Sequence, residues 1–146
     1  MAILAPSPLG VNDDLHKVGA AQAIPTDGNN DVSASSMDFS LAAPDVGKGA
    51  RIDVLVKVTT AFTKSSATPT LDIRVISDGD AALGSPSVHG LAIEGMVGTT
   101  AAGKVYRGSI AANPVTPYER YIGVRLEPSG NELSAGNVDV YVGVGH

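Results

Sequence analysis

Four stretches of the chain alternate apolar and polar side chains with a period of two, and valine dominates their apolar side. From Ala50 to Phe62, Ile52, Val54, Val56 and Val58 point one way. Asp53, Lys57 and Thr59 point the other, with Leu55 among them. From Thr70 to Ser77, Leu71, Ile73 and Val75 oppose Asp72, Arg74 and Ile76. From Glu119 to Glu127, Ile122, Val124 and Leu126 oppose Tyr121, Gly123 and Arg125. From Asn137 to Val144, Val138, Val140, Val142 and Val144 oppose Asp139, Tyr141 and Gly143. Successive side chains of a strand face opposite sides, so each stretch predicts a strand with one buried and one mostly wet face.

Weaker strands are predicted over Met37–Leu41, Ser87–Glu94 and Lys104–Ile110. Turn signals separate them: Pro44 to Gly49, Lys64 to Pro69, Asp78-Gly79-Asp80, Gly95 to Gly103, Asn113-Pro114 with Thr116-Pro117, and Pro128 to Asn131. The 17 glycines and 9 prolines fit many turns and few long helices. About seven or eight strands at this spacing imply an all-β antiparallel sandwich, jelly roll or barrel. Valine-rich single faces suit two sheets packed on a shared core. With 146 residues, 43% of them hydrophobic, the chain can bury such a core as one domain.

Residues 1–35 hold neither period for long. Pro6, Pro8 and Pro25 break any helix there. A short helix over Val11–Ala23, capped at Asn12 or Asp13, is one reading. The reading preferred is an extended N-terminal arm over 1–35, with Ile3, Leu4, Leu9, Leu15, Val18 and Ile24 as apolar anchors. The sandwich domain then spans 36–146. Residues 1–50 carry two basic and six acidic side chains, a net of −4, within a chain of net −5. Such asymmetry marks either an arm with its own partner or a solvated leader.

Composition also narrows function. The acidic balance is the wrong sign for phosphate-driven nucleic-acid binding. No Trp and 4% aromatics leave little for a stacking platform. No Cys excludes disulfides, thiolate metal sites and a cysteine nucleophile. Apolar runs fall well short of the ~18 residues of a membrane span. Met1 to Pro6 lacks the basic start of a secretion signal, so the product is expected to be made and kept in a cytoplasm; work outside a cell would need another route, such as release with a virus particle.

Chemistry is sparse. His16, His89 and His146 are far apart and fit no His-Glu-x-x-His motif. Gly84-Ser85-Pro86-Ser87 is not a nucleophile elbow, and there is no Walker loop or dinucleotide fingerprint. Asp27, Asn29 and Asp31 share the spacing of a calcium loop, with Ser33 seventh and Asp38 twelfth. Val32 stands where that loop needs Gly, so an Asx turn is the preferred reading. Asp78-Gly79-Asp80 reads as a turn between strands rather than a cation site. No catalytic residue, cofactor or metal is expected. The contact candidates are Tyr106, Tyr118, Tyr121 and Arg125, because Tyr and Arg supply large interface anchors. Tyr121 and Arg125 share a face opposite the apolar one.

Leu71-Asp72-Ile73-Arg74-Val75-Ile76-Ser77-Asp78, running through Ala81-Ala82-Leu83-Gly84-Ser85-Pro86-Ser87-Val88, resembles the central segment of small capsid cement proteins of tailed bacteriophages. These are of the jelly-roll type found on a Bordetella podophage capsid. Glu119 to Leu126 resembles the next marker of that family, and Leu133 to Val140 its last hairpin. The resemblance covers roughly residues 35–146 and departs from the family pattern between Gly90 and Ala112. It implies a jelly-roll sandwich with no catalytic residues, working as a small homo-oligomer; a dimer or trimer is expected because compact symmetric contacts are common. It also implies the major capsid protein as partner, with no nucleic acid or membrane involved, and a place on the outer surface of the virion across joints between shell subunits. Under this reading the arm with Ile3, Leu4, Leu9 and Leu15, and the surface around Tyr106, Tyr118, Tyr121 and Arg125, make the capsid or subunit contacts. The acidic arm would strap onto a basic patch of the shell. A carbohydrate- or receptor-binding sandwich of a phage tail or cell surface is the alternative.

Overall fold

In the computed structural model, residues 15–39, 51–65, 68–97, 99–111, 118–130 and 133–145 are described. Among them there are nine strands and no helix. They are β1 (His16–Ala23), β2 (Asp31–Val32), β3 (Met37–Asp38), β4 (Arg51–Lys64), β5 (Thr70–Asp78), β6 (Ser87–Val97), β7 (Val105–Ala111), β8 (Tyr121–Pro128) and β9 (Leu133–Gly145). The alternating stretches of the sequence became β4, β5, β8 and β9, as their period requires.

The first sheet has the order β1-β9-β4-β7 and the second β2-β8-β5-β6, with β3 also on β8. Every pairing is antiparallel. β2 and β3 both lie along β8, as two short pieces of one interrupted strand. Taken as one strand, they give two four-stranded sheets. The chain passes between the sheets at nearly every connection, and only β5–β6 is a hairpin within one of them. This is a jelly roll.

The core lies between the sheets. Val54, Val56 and Val58 of β4, Val138, Val140 and Val142 of β9, and Val18 of β1 face Leu71, Ile73 and Val75 of β5 and Ile122, Val124 and Leu126 of β8. All are buried. Each such side chain contributes about 1.5–3 kcal/mol relative to exposure.

Both sides of the sandwich are shut. On one side β7 meets β6 with no side chain between them at Gly108, where a Cβ would overlap the carbonyl oxygen of Ala92. On the other side Gln22 of β1 reaches across to the second sheet. Its Nε2 donates to the Val32 carbonyl at 2.9 Å, and its Oε1 accepts the Ala34 amide at 2.9 Å. One side-chain amide thus stands in for a peptide unit along the β2 edge. The Ser35 amide donates to the Val18 carbonyl at 2.8 Å and continues the closure. β1 itself is bulged, with register shifts after Lys17 and after Gly19 and a left-handed Ala21 at φ 45°. Bulges of this kind blunt an edge against further pairing.

The N-terminal expectation needs correction. Residues 1–14 lie outside the described residues, and with them Ile3, Leu4 and Leu9. From residue 15 onward the segment read as arm belongs to the sandwich: β1 pairs with β9, β2 with β8, and Val18 and Ile24 are core residues. Neither a free arm nor a helix describes Leu15 to Ser35. The division near residue 35 therefore cuts through the sandwich.

Gly108→Ala is expected to cost about 1–3 kcal/mol, the range for forcing extra atoms into a packed site. Gly84→Ala, with nothing within 4 Å of the added carbon, should stay within about 0.5 kcal/mol. Urea unfolding of both variants checks the difference.

Candidate interaction surface

The wet face of the second sheet carries Tyr121 and Arg125, two of the residues that the sequence marks for contact. Across β5 and β8, Asp72 pairs with Glu127, Arg74 with Arg125, Ile76 with Gly123 and Asp78 with Tyr121. Two guanidiniums thus stand directly opposite each other, which is unfavourable unless a carboxylate intervenes. Glu127 supplies it. Arg74 Nε donates to Glu127 Oε1 at 2.6 Å and Arg125 Nε to Oε2 at 2.6 Å, with Arg125 Nη2 also on Oε2. Partial burial alone would raise the Glu127 pKa, but the hydrogen bonds and charges of the two arginines outweigh it and hold the carboxyl below its ordinary value. Asp72 is occupied by the Gly95 amide at 2.8 Å.

The other half of this face is covered by the chain itself. The β5–β6 connection folds back so that Leu83 is buried over Gly123. A Cβ at position 123 would collide with the Leu83 side chain and with Ser33 Oγ. Asp78 holds the loop, accepting the Asp80 amide at 3.1 Å and the Ser85 amide at 2.7 Å. Asp80 in turn accepts the Ala82 amide at 3.0 Å. Asp78-Gly79-Asp80 is a turn whose carboxylates bind backbone.

The calcium-loop spacing also resolves into other partners. Asp27 accepts the amide and the side-chain nitrogen of Asn29, each at 3.0 Å, and these bonds lower its pKa. Asp31 lies in β2, and Ser33 is buried with its hydroxyl donated to the Ser35 carbonyl at 2.8 Å. Asp38 takes both Nε and Nη2 of Arg120, at 2.8 and 3.0 Å. The five positions do not converge. Among the described residues no cluster of three or more metal-ligating side chains forms.

The contact candidates separate. Tyr121 and Arg125 lie on the wet face, half-buried, with the Arg120 guanidinium 5.1 Å from the Tyr121 ring centre. That distance falls within cation–π range. Tyr118 does not belong with them. It is 3% exposed, its hydroxyl donates to the Ala111 carbonyl at 2.9 Å, and burial pushes its pKa up to about 12. Tyr106 pairs with Val56 across β4 and β7, on the core side, and its hydroxyl shares a 3.0 Å hydrogen bond with Thr100. Leu15 precedes β1 and is half-buried. The strand alternation could not reveal the burial of Tyr118, because residue 118 precedes β8.

A tyrosine outside the candidate set holds an outward position on the first sheet. Tyr141 of β9 pairs with Lys17 of β1 on one side and Leu55 of β4 on the other. Lys17 Nζ sits 5.5 Å from its ring centre and 3.1 Å from Asp139. The hydrogen bond to Asp139 is the main cause that raises the Lys17 pKa. Burial would raise the Asp139 pKa, but the Ala21 amide and Lys17 outweigh it and keep the carboxyl below its ordinary value. The signal in the sequence was the outward parity of Tyr141 among the valines of its strand.

Ser77 and His89 share a 2.6 Å hydrogen bond, the geometry of a nucleophile and base. Ser77 is fully buried, and its oxygen also accepts the Glu119 amide at 2.9 Å. A hydroxyl so enclosed meets no substrate. The pair ties the start of β8 to β5 and β6.

These features define a class: a jelly-roll sandwich with closed sides, one wet face tied into internal ion pairs, and no assembled reactive centre among the described residues. The chain belongs to the Bbp16 family, a Bordetella phage protein family, which matches residues 18–142. No curated protein matches it. Among solved structures, a chain from "Structure of infectious bursal disease virus Gx strain" is similar at 8% identity and a TM-score of 0.42. That similarity covers 89% of this chain and 31% of the viral one, so this chain spans less than a third of its length.

The depressed carboxylates predict acid sensitivity. A group with a lowered folded pKa contributes stability above its unfolded value and loses it as pH falls through the folded one. For Glu127 and Asp139 the unfolding midpoint should be level from about pH 7 to about pH 5 and fall below about pH 4. Glu127→Gln should cost about 1–2 kcal/mol at pH 7, since solvent partly screens Arg74, and should flatten part of the acid limb. Unfolding followed from pH 2 to pH 7 on both proteins reads it.

Proposed function

We propose that this chain is a structural virion protein, and within that class a capsid cement protein that binds the outside of a tailed-phage head. Membership of a Bordetella phage protein family, matched over residues 18–142, carries this reading. The architecture is in keeping with it. The sandwich is a stiff body, shut along both sides, and its polar surface is organised by ion pairs rather than around a cleft.

The mechanism is mass action. A protein that binds only the assembled shell stabilises that state, by about 2.7 kcal/mol per site when its free concentration is a hundredfold above Kd. Spanning a joint between major capsid subunits converts that energy into resistance to rupture by packaged DNA. The chain acts as a dimer or trimer, because joints between identical subunits present repeated sites to symmetric partners. It performs no catalysis and needs no cofactor.

A carbohydrate-binding reading finds less support. All four tyrosines are engaged: Tyr106 and Tyr118 by hydrogen bonds, Tyr121 by Arg120 and Tyr141 by Lys17. None lies bare as a sugar platform.

The test uses purified heads that lack this chain. Added protein should co-sediment with them to saturation and raise the temperature at which DNA escapes. Heads that neither retain the protein nor gain heat resistance would refute the assignment, and light scattering on the free protein checks its oligomer mass.

A further inference from the structure

We infer that the outer face of the first sheet, centred on Tyr141, is the surface that docks on the shell, and that it takes an acidic protein surface. This rests on the cement reading above and specifies its partner. The register places Arg51, Asp53, Leu55 and Lys57 of β4 on that face. Lys17 of β1, Asp139 and Tyr141 of β9 and Arg107 of β7 join them. Four side chains are basic and two acidic, a net of +2 in a chain of net −5. All other residues together carry −7. Charge has been separated onto this sheet.

Its carboxylates are already engaged. Asp53 pairs with Arg51 at 2.7 Å and Asp139 with Lys17 at 3.1 Å. Among the described residues Arg107 is exposed with no ion pair within 4 Å, and Lys57 is exposed opposite Asp139, without an ion pair to it within 4 Å but adding to the charge that lowers the Asp139 pKa. Arg107 ends the row Lys17–Tyr141–Leu55–Arg107 that crosses all four strands, and Lys57 lies beside that row on β4. A half-buried aromatic amid more cations than carboxylates is the composition of an interface anchor.

The competing surfaces are occupied. Leu83 and its loop cover part of the second sheet's outer face, and on the rest Glu127 bridges both arginines and leaves the three groups with a net of +1. The sandwich sides are narrowed by the close approach of β6 and β7 at Gly108 and bridged by Gln22, which leaves little room for a partner there. The same face of a second copy would bring +2 against +2, which disfavours a symmetric self-contact. A carboxylate-bearing surface of the shell meets the charge instead and steers docking.

Three single charge reversals test this on heads lacking the chain: Lys57→Glu and Arg107→Glu on the face, and Arg120→Glu on the other sheet. All change net charge equally, and matched unfolding midpoints confirm that each folds. Wild-type protein should bind at about 0.1 M salt, and each face reversal should weaken it by about tenfold or more, with the gap shrinking at high salt. Arg120→Glu should stay within about twofold of wild type. Wild-type binding matched by both face variants would overturn the docking face alone. So would an equal loss with Arg120→Glu, or a changed solution mass with unchanged head binding. Absence of wild-type binding would sink the cement reading itself and this inference with it.

Discussion

The β4–β9 ladder is the interaction on which the rest of the molecule depends. It runs from Arg51 opposite Gly145 to Lys64 opposite Leu133, the longest pairing in the structure. Its inward side is almost wholly valine. Val54 meets Val142, Val56 meets Val140 and Val58 meets Val138. β-branched side chains are stiff and pack well on a pleated surface, so this pair of strands forms a wall with little freedom to lose. β1 and β7 attach to its two edges, and β5 and β8 pack their Leu, Ile and Val side chains against its inner side. A register slip of one residue would turn the whole valine row to water, which fixes the alignment of everything attached to it.

A jelly roll leaves two open sides where the sheets meet, and this chain closes them by different means. At Gly108 the backbones of β6 and β7 approach as closely as a missing side chain allows. At Gln22 a side chain bridges the gap because the bulged β1 has drawn away from a regular ladder. The first device depends on absence of atoms and the second on an amide with both a donor and an acceptor. Both leave the outer faces as the surfaces through which a partner can be met.

Much of this was legible in the sequence, for a physical reason. From Ala50 onward the strands are long, β-branched and buried on one side, so period two survives in the order of residues. β4, β5, β8 and β9 fall within a few residues of where alternation predicts them. β1 was not legible. Gly19, Ala20 and Ala21 carry no pattern, and the register shifts break whatever period remains. β2 and β3 are two residues each and owe their form to β8. The aspartates of 27–38 mimic a ligand loop in spacing, yet spacing does not say that Arg120, eighty-two residues away, takes Asp38. For the contact residues, parity was right for Tyr121 and Arg125 because β8 is regular. Tyr118 precedes the strand and turns inward, and Tyr106 stands on the core side of a weakly patterned one.

The charge pattern shows the same division between what order in the chain reveals and what folding creates. Along the sequence the acidity belongs to the first third, which invites an image of an acidic strap seeking a basic shell. Folding sends Lys17 of that segment to the first sheet, where it neutralises Asp139 beside Tyr141. Asp38 goes to the second, where it neutralises Arg120. Among the described residues Lys17 and Asp38 thus go to opposite faces, and the cations that outnumber carboxylates on the first sheet's outer face include Lys57 and Arg107 of later strands. A partner reads the folded surface and not the linear sum. For a protein of net charge −5, a face that carries the opposite sign has the greatest power to orient an encounter with an acidic partner, because the rest of the molecule would repel the surface that such a face attracts.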